Sequence, residues 1–342
     1  MRILVWHVHG GWMDAFVRGG HEYLIPTTPG RDAWGLGRGG RDWPASAVEV
    51  PPASIADLDP DVVVLQRPQE LDLVRAVTGR EPGRDLPAVY VEHNLPRGDV
   101  PSTVHPLADR PELTIVHVTP TNALLWDTGS TPTRVVEHGV PDPGLRWAGE
   151  LEAAAVVINE PVRRGRVAGT DLLPRLARAL PLTVYGIATE QLASAFPRSA
   201  GRITPAGDVP TATLHAELAR HRAYAHPYRW TSLGLSLIEA MLLGMPVAVI
   251  ASVETLRAVP PEAGVVSPDP ADLVAELSRL AADPDRAASR GRVAREAALS
   301  RFGLPRFHAD WDAVLADRVA TRRRPAAPVP ALRRIVLEGS TP

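Results

Sequence analysis

Three polar side chains interrupt an otherwise apolar run late in the chain. Over residues 232–243, Leu233, Leu235, Leu237, Ile238, Ala240, Met241, Leu242 and Leu243 leave only Ser232, Ser236 and Glu239 suited to water. Spaced four and three apart, these three share one face of a helix. A helix that is apolar on every other side is buried, and an ionised carboxylate there needs partners. A ribose diol is one, its two hydroxyls donating to the two carboxylate oxygens; an Arg elsewhere in the fold is the other. Thr231 or Ser232 can cap the start of this helix. Its free backbone N–H groups and partial positive charge suit a diphosphate. At a rise of about 1.5 Å per residue, Glu239 lies about 10 Å beyond Ser232, and its side chain leans back toward the helix start. A ligand with its diphosphate at the start and its ribose farther along fits that spacing.

A second group closes an apolar strand, where Glu92-His93-Asn94 follows Pro87-Ala-Val-Tyr-Val. Functional groups collect at the carboxyl ends of parallel strands, although a strand-end His can be purely structural. His7 and His9 alternate on the first strand and so share a face; with His21 they lack the carboxylate or Cys that would complete a metal site. Gly10-Gly11 follows that strand, either as an ordinary turn or as a loop that lets backbone approach a ligand. It is no G-x-G-x-x-G fingerprint, which argues against a dehydrogenase. Tyr228 and Trp230 flank the start of the apolar helix, suited to stacking or to core packing.

Composition narrows the chemistry. There is no Cys, which excludes disulfides, thiolate zinc sites and Cys nucleophiles. All 37 basic residues are Arg, so any cationic phosphate contact from a side chain is a guanidinium. The net charge of −2 gives no global attraction for nucleic acid or anionic lipid. Met1-Arg-Ile-Leu-Val-Trp reads as a first strand rather than a signal peptide, and no apolar run has the length of a membrane helix. A cytoplasmic protein is expected.

The elements that position these groups repeat a strand–helix rhythm. Short apolar runs at 1–8, 61–66, 87–94, 113–118 and 133–138 predict five buried strands, with helices at 69–77 and 121–127 between them. Pro141-Asp-Pro-Gly144 breaks the pattern. It restarts with strands at 153–158, 182–187, 222–227, 246–251 and 264–267 and helices at 171–180, 211–221, 232–243, 270–281 and 286–299. The expected fold is α/β, two doubly wound Rossmann-like domains with a cleft between them. The first spans 1–147 and is joined by a C-terminal helix at 307–319; the second spans 148–306. Residues 320–342, with Arg322-Arg-Arg324, read as a disordered, solvated tail, with a peripheral membrane contact as the other reading.

Glu239-Ala-Met-Leu-Leu-Gly-Met-Pro-Val247 resembles the E-A-M-x-x-G-x-P-V signature of GT-B glycosyltransferases, specifically the retaining family 4 type. The resemblance implies that Glu239 binds the donor ribose and that Gly244 and Pro246 make the following turn. Glu137-His-Gly-Val140 resembles the family's N-G-V/I segment, with His138 in place of Asn. Arg163-Arg-Gly-Arg-Val-Ala-Gly-Thr-Asp171 resembles the family's diphosphate segment. Ala168 stands where the family has Lys, and Arg163, Arg164 and Arg166 are close enough to replace it. Gly186 resembles the Gly loop beside the base, and Ala206-Gly207 another such loop. Thr231 stands where the family often has a first Glu, which bears on the donor sugar contact.

The resemblance implies a glycosyltransferase acting on a nucleotide-diphosphate sugar, with retention and without cofactor or metal. His93 would line the donor sugar pocket. The amides of Ser232, Leu233 and Gly234, with Arg163, Arg164 or Arg166, would stabilise the leaving diphosphate, and His93 and Arg164 are the expected catalytic pair. Thr231, Ser236, Gly10, Gly11 and Gly186 complete the expected donor contacts. The acceptor is a small molecule, a glycan or a lipid-linked group; no nucleic acid partner is expected. The competing readings are an epimerase, an inverting transferase with Asp14 or His93 as base, and a catalytically weak nucleotide-sugar binding protein.

Overall fold

The computed structural model describes residues 1–321 of the 342-residue chain. Thirteen strands form two wholly parallel sheets. The first sheet contains β1 (Arg2–Val5), β2 (Glu22–Pro26), β3 (Ala47–Val50), β4 (Val62–Leu65), β5 (Ala88–Glu92), β6 (Thr114–His117) and β7 (Thr133–Val135). Its order is β3-β2-β1-β4-β5-β6-β7. The second contains β8 (Leu151–Val157), β9 (Leu182–Tyr185), β10 (Ile203–Gly207), β11 (His221–His226), β12 (Val247–Ile250) and β13 (Gly264–Ser267), ordered β10-β9-β8-β11-β12-β13. Both orders reverse direction beside the first strand of their half, at β1/β4 and at β8/β11. In a doubly wound sheet this switch point opens a crevice at the carboxyl ends of the strands. The expected pair of doubly wound α/β sheets is therefore present.

Helices cover both faces. Those among strands β1–β7 are α1 (Gly10–Phe16), α2 (Glu70–Thr78) and α3 (Pro120–Leu125). The second half carries α4 (Pro161–Ala168), α5 (Leu173–Leu176), α6 (Gln191–Ala195), α7 (Thr211–Arg220), α8 (Leu235–Leu243), α9 (Thr255–Ala258), α10 (Pro270–Ala282), α11 (Pro284–Phe302) and α12 (Leu304–Thr321). Central strands such as Val62–Leu65 and Val247–Ile250 are buried along their whole length, as sheets covered on both faces require. The last helix, α12, returns to the first sheet. Phe307, Trp311, Val314 and Leu315 enter the core around Trp12, Phe16 and Tyr23, with Trp311 edge-on to Trp12 at 5.6 Å.

Several local expectations change. The first strand ends at Val5 rather than Val8, because the chain there has reached the edge of the sheet. His7 and His9 thus lie in a loop and share no strand face. Gly10-Gly11 opens α1, a helix that two glycines conceal from a propensity reading. The short strands β2, β3 and β10 were not expected. Pro26 ends β2, and β10 carries Pro205 and Gly207, which an edge strand tolerates. The 171–180 helix is a 3-10 turn at 170–172 followed by the short α5. The α8 helix starts at Leu235, with Gly234 as its N-cap and no side-chain cap bond. Arg322-Arg-Arg324 and the rest of the expected tail beyond 321 lie outside the described residues.

Candidate active site

The carboxyl ends of β5 and β11 face one another across the two halves. The loop after β5 supplies His93, Asn94, Leu95 and Arg97, and the loop after β11 supplies Trp230, Thr231 and Ser232. Helix α4 adds Arg163, Arg164 and Val167, closing a cavity of about 350 Å³. Three hydrogen bonds pin its rims together. Ser232 Oγ donates to the His93 carbonyl at 2.6 Å and accepts from Asn122 Nδ2 at 3.0 Å. Trp230 Nε1 donates to the Pro96 carbonyl at 3.2 Å. Ser232 is therefore a fastener between the halves rather than a helix cap.

The helix start itself is displaced from its expected place. The backbone N–H groups of Ser232 to Ser236 make no hydrogen bond among the described residues, so the free amides run from the expected Ser232–Gly234 on into the first turn of α8. The Leu233 side chain is buried in the core of the second half. Ser236 Oγ is 2.9 Å from the Tyr224 hydroxyl. Glu239 lies on the partly exposed edge of α8. Across from it on α7 lies His215, with Nε2 3.6 Å from Glu239 Oε1, beyond hydrogen-bond reach. The Arg partner that the sequence left open is absent from its ion pairs among the described residues.

The three arginines of α4 are not equivalent. Arg163 forms a fork on Glu160, with one contact at 2.8 Å and a second, shorter one. Arg166 binds Asp171 at 3.0 Å, a carboxylate that Arg229 also holds. Arg164 forms no ion pair among the described residues; its guanidinium lies 5.1 Å from the Tyr228 ring centre and 3.5 Å from the Tyr228 hydroxyl. The backbone causes the difference. Gly165 breaks the helical phase with φ 47° and ψ −122°, so neighbouring side chains leave in different directions. Tyr228 is packed in the core, while Trp230 reaches the cavity wall.

His93 is held in one chemical form. Gln66 Nε2 donates to the Trp6 carbonyl at 2.8 Å, which turns Gln66 Oε1 toward His93 Nε2 at 3.1 Å. An amide oxygen only accepts, so His93 Nε2 carries the proton and Nδ1 keeps its lone pair. Burial, together with His9 and His138 nearby, pushes the His93 imidazole well below its ordinary pKa. The neutral ring lies tilted against His9 at 4.0 Å between centres and meets Trp12 edge-on at 5.3 Å. Gln66, the residue that orients it, carries no local motif that sequence could single out.

The remaining expected residues lie beside this cavity rather than in its wall. Gly11 abuts α8, where a Cβ would come within 2.7 Å of Leu235 Cδ1, and one on Gly10 would strike the Arg41 guanidinium. Gly186 follows β9 with φ +127°, and a Cβ there would sit 2.5 Å from the Ile158 carbonyl oxygen. Asp14, the alternative base, is bound by Arg41 at 2.6 Å and by Trp43 Nε1, so both its oxygens are already engaged. His7, His9 and His21 separate: His7 bonds the Gly37 carbonyl, and His21 pairs with Asp312. No group of three or more His, Asp or Glu able to hold a metal occurs among the described residues, and no helix there is long and apolar enough to cross a membrane.

Buried histidines make the fold sensitive to acid. Burial lowers His226 to about 3, His117 to about 4 and His138 to about 4. Each is neutral in the folded state, yet binds a proton near pH 6.5 when unfolded. The stability they confer is thus complete above about pH 6.5 and lost as pH falls toward 4, by about 1.4 kcal/mol per pH unit for each residue. Urea midpoints should fall steeply between about pH 7 and 5, and less steeply for His117→Leu. A wild-type midpoint that stays flat over this interval contradicts the assignment.

Residues 167–283 match the family described as "Glycosyl transferases group 1". No curated protein matches the chain. Solved structures with the same fold include a sucrose-phosphate synthase from Thermosynechococcus elongatus, at TM-score 0.70 and 14% identity over 94% of this chain and 100% of that one. HepE from Anabaena in complex with UDP aligns at TM-score 0.68 and 15% identity over 93% and 100%. AviGT4, a glycosyltransferase of avilamycin A biosynthesis, aligns at TM-score 0.60 and 16% identity over 94% and 98%. The architecture is the GT-B fold.

Proposed function

We propose that the chain is a GT-B glycosyltransferase that transfers a sugar from a nucleotide-diphosphate donor to an acceptor hydroxyl with retention, a reading supported by the group 1 match at 167–283 and by the shared fold. The carrying observation is the cavity between the two carboxyl edges, where Arg164 has no carboxylate partner beside a neutral, oriented His93. An uncompensated guanidinium is costly to hold in a partly closed site unless an anion arrives. The donor diphosphate would lie between Arg164 and the free amides at the start of α8. Glu239 supports the ribose reading, since it accepts no hydrogen bond among the described residues and keeps both oxygens for a diol.

In this reading the acceptor oxygen forms its bond to the anomeric carbon on the face from which the diphosphate departs. The bond from that carbon to the phosphate oxygen breaks, and the acceptor proton passes to the leaving phosphate. Guanidinium and backbone amides, rather than a metal, offset the charge that accumulates. Arg163 and Arg166 would first have to exchange Glu160 and Asp171 for phosphate, so their role is secondary. His93, with its Nδ1 lone pair free, would accept a hydrogen bond from a sugar hydroxyl. Thr231 lines the same wall and would contact the donor sugar through its hydroxyl. Gly186 would border the base and Gly10-Gly11 the donor or acceptor. We place the protein in the cytoplasm, with a small-molecule, glycan or lipid-linked acceptor, and without nucleic acid.

Calorimetric titration with a panel of nucleoside diphosphates and nucleotide sugars tests this. One nucleotide is expected to bind, and Glu239→Ala should weaken it by about 10- to 100-fold, as loss of hydrogen bonds to a charged group does. Equal binding by Glu239→Ala would remove the ribose assignment. Binding without donor turnover in the presence of candidate acceptors would favour the binding-protein reading.

A further inference from the structure

The cavity wall contributed by the N-terminal half carries its own uncompensated cation. Arg97 follows β5, lines the cavity opposite α4, and makes no hydrogen bond or ion pair among the described residues. The carboxylates around it are committed: Glu92 to His105 at 2.9 Å and to the Asn94 amide, and Glu160 to Arg163. Asp99, two residues on, forms no side-chain pair with it. No carboxylate lines the cavity, whereas Arg97, Arg163 and Arg164 do. Two unpaired guanidinium groups facing one cavity from opposite halves repel unless an anion lies between them.

The backbone beside Arg97 is fastened across the cleft. The Pro96 carbonyl, immediately before it, accepts from Trp230 Nε1, and the His93 carbonyl accepts from Ser232. On its own side, the Asn94 carbonyl accepts from Trp126 Nε1 at 2.8 Å. When the halves meet, these bonds set the position from which Arg97 reaches into the cavity.

We infer that Arg97 is the second arm of a phosphate clamp, so that one phosphate-type anion is gripped by both halves at once through Arg97 and Arg164. This rests on the transferase reading and deepens it: the anion is assigned to the donor diphosphate, and donor binding thereby holds the cleft closed. A phosphate carried by the acceptor is the other source of the same chemistry. The clamp is bidentate in kind, which a guanidinium suits better than an ammonium.

Titration of the full chain with inorganic pyrophosphate decides it. Arg97→Gln and Arg164→Gln should each weaken pyrophosphate by roughly tenfold or more, with Arg97→Lys between wild type and Arg97→Gln. Arg97 is exposed, so the unliganded melting temperature of Arg97→Gln should match wild type. Failure of wild type to bind pyrophosphate, or binding by Arg97→Gln within about twofold of wild type, overturns the donor assignment. In the second case, inorganic phosphate added to pyrophosphate-saturated protein, bound by wild type and lost in Arg97→Gln, would move the anion to the acceptor. Pyrophosphate has no ribose, so Glu239→Ala should bind it normally. Arg97-dependent pyrophosphate binding in a protein that binds no nucleotide would sustain the clamp and reject the ribose reading.

Discussion

Replacing Arg164 with Ala is expected to lower kcat for sugar transfer by about a hundred- to a thousandfold, the range for removing one preorganised charge-stabilising group. The reason lies in what each arginine of α4 already holds. Arg163 lines the cavity already forked onto Glu160, and Arg166, bound to Asp171, lies outside its wall. Arg164 rests on Tyr228 through a ring face and a long hydroxyl contact. Its charge is left for whatever enters the cavity. In the proposed transfer, charge grows on the departing diphosphate as its bond to the sugar breaks, so the loss should fall on kcat more than on KM for the donor. Arg163→Ala should cost less than about tenfold, and Arg164→Lys should recover part of the rate. Steady-state kinetics with the donor found by calorimetry would check this. Equal kcat values for Arg163→Ala and Arg164→Ala would show that the pre-existing ion pairs do not discriminate between them.

The second large effect concerns the joint between the halves. Glu254, fully buried beside α9, accepts from Thr121 of α3 at 2.7 Å, from Arg257 at 2.8 Å and from Arg301 at 2.9 Å. Arg301 also holds Glu137 of the N-terminal half. One carboxylate therefore ties the start of α3 to the second half at Thr121, the residue next to Asn122, which fastens Ser232. Glu254→Ala should destabilise the protein by about 2–4 kcal/mol, below the upper end for a broken buried pair because Arg301 retains Glu137 and Arg257 is exposed. Scanning calorimetry should show a melting temperature lower by several degrees. Thr121→Val removes only the bond between halves and should cost about 1 kcal/mol or less. A melting temperature for Glu254→Ala equal to that of wild type would mean that the network contributes nothing net.

Charge at the site comes from Arg164, and the frame that aims it from the Glu254 network. The same loop residues serve both. Ser232 was expected as a helix cap and donor contact, yet it bridges His93 and Asn122. Its loss would disturb the rim of the cavity without removing any charge. Asn122 and Trp126 act on the site from a distance in the chain, through the Asn94 carbonyl and, for Asn122, the Ser232 hydroxyl, which is why no motif marked them.

By itself the sequence determined the doubly wound class, the two successive sheets, the buried helix α8 and the polar edge that carries Glu239. Those features follow from hydrophobic periodicity, a local property that burial on one or both faces imposes on neighbouring residues. It also placed His93 at the end of a buried strand and concentrated cations near α4. Tertiary structure alone decided which cation is free. Arg163, Arg164 and Arg166 are alike in sequence, and the kink at Gly165 with the positions of Glu160, Asp171 and Tyr228 tells them apart. It also brought Arg97 to face Arg164 across some 67 residues of chain, set Gln66 on His93, and moved the start of α8 to Leu235. Partner choice among charged groups depends on contacts distant in the chain, and periodicity carries no information about those.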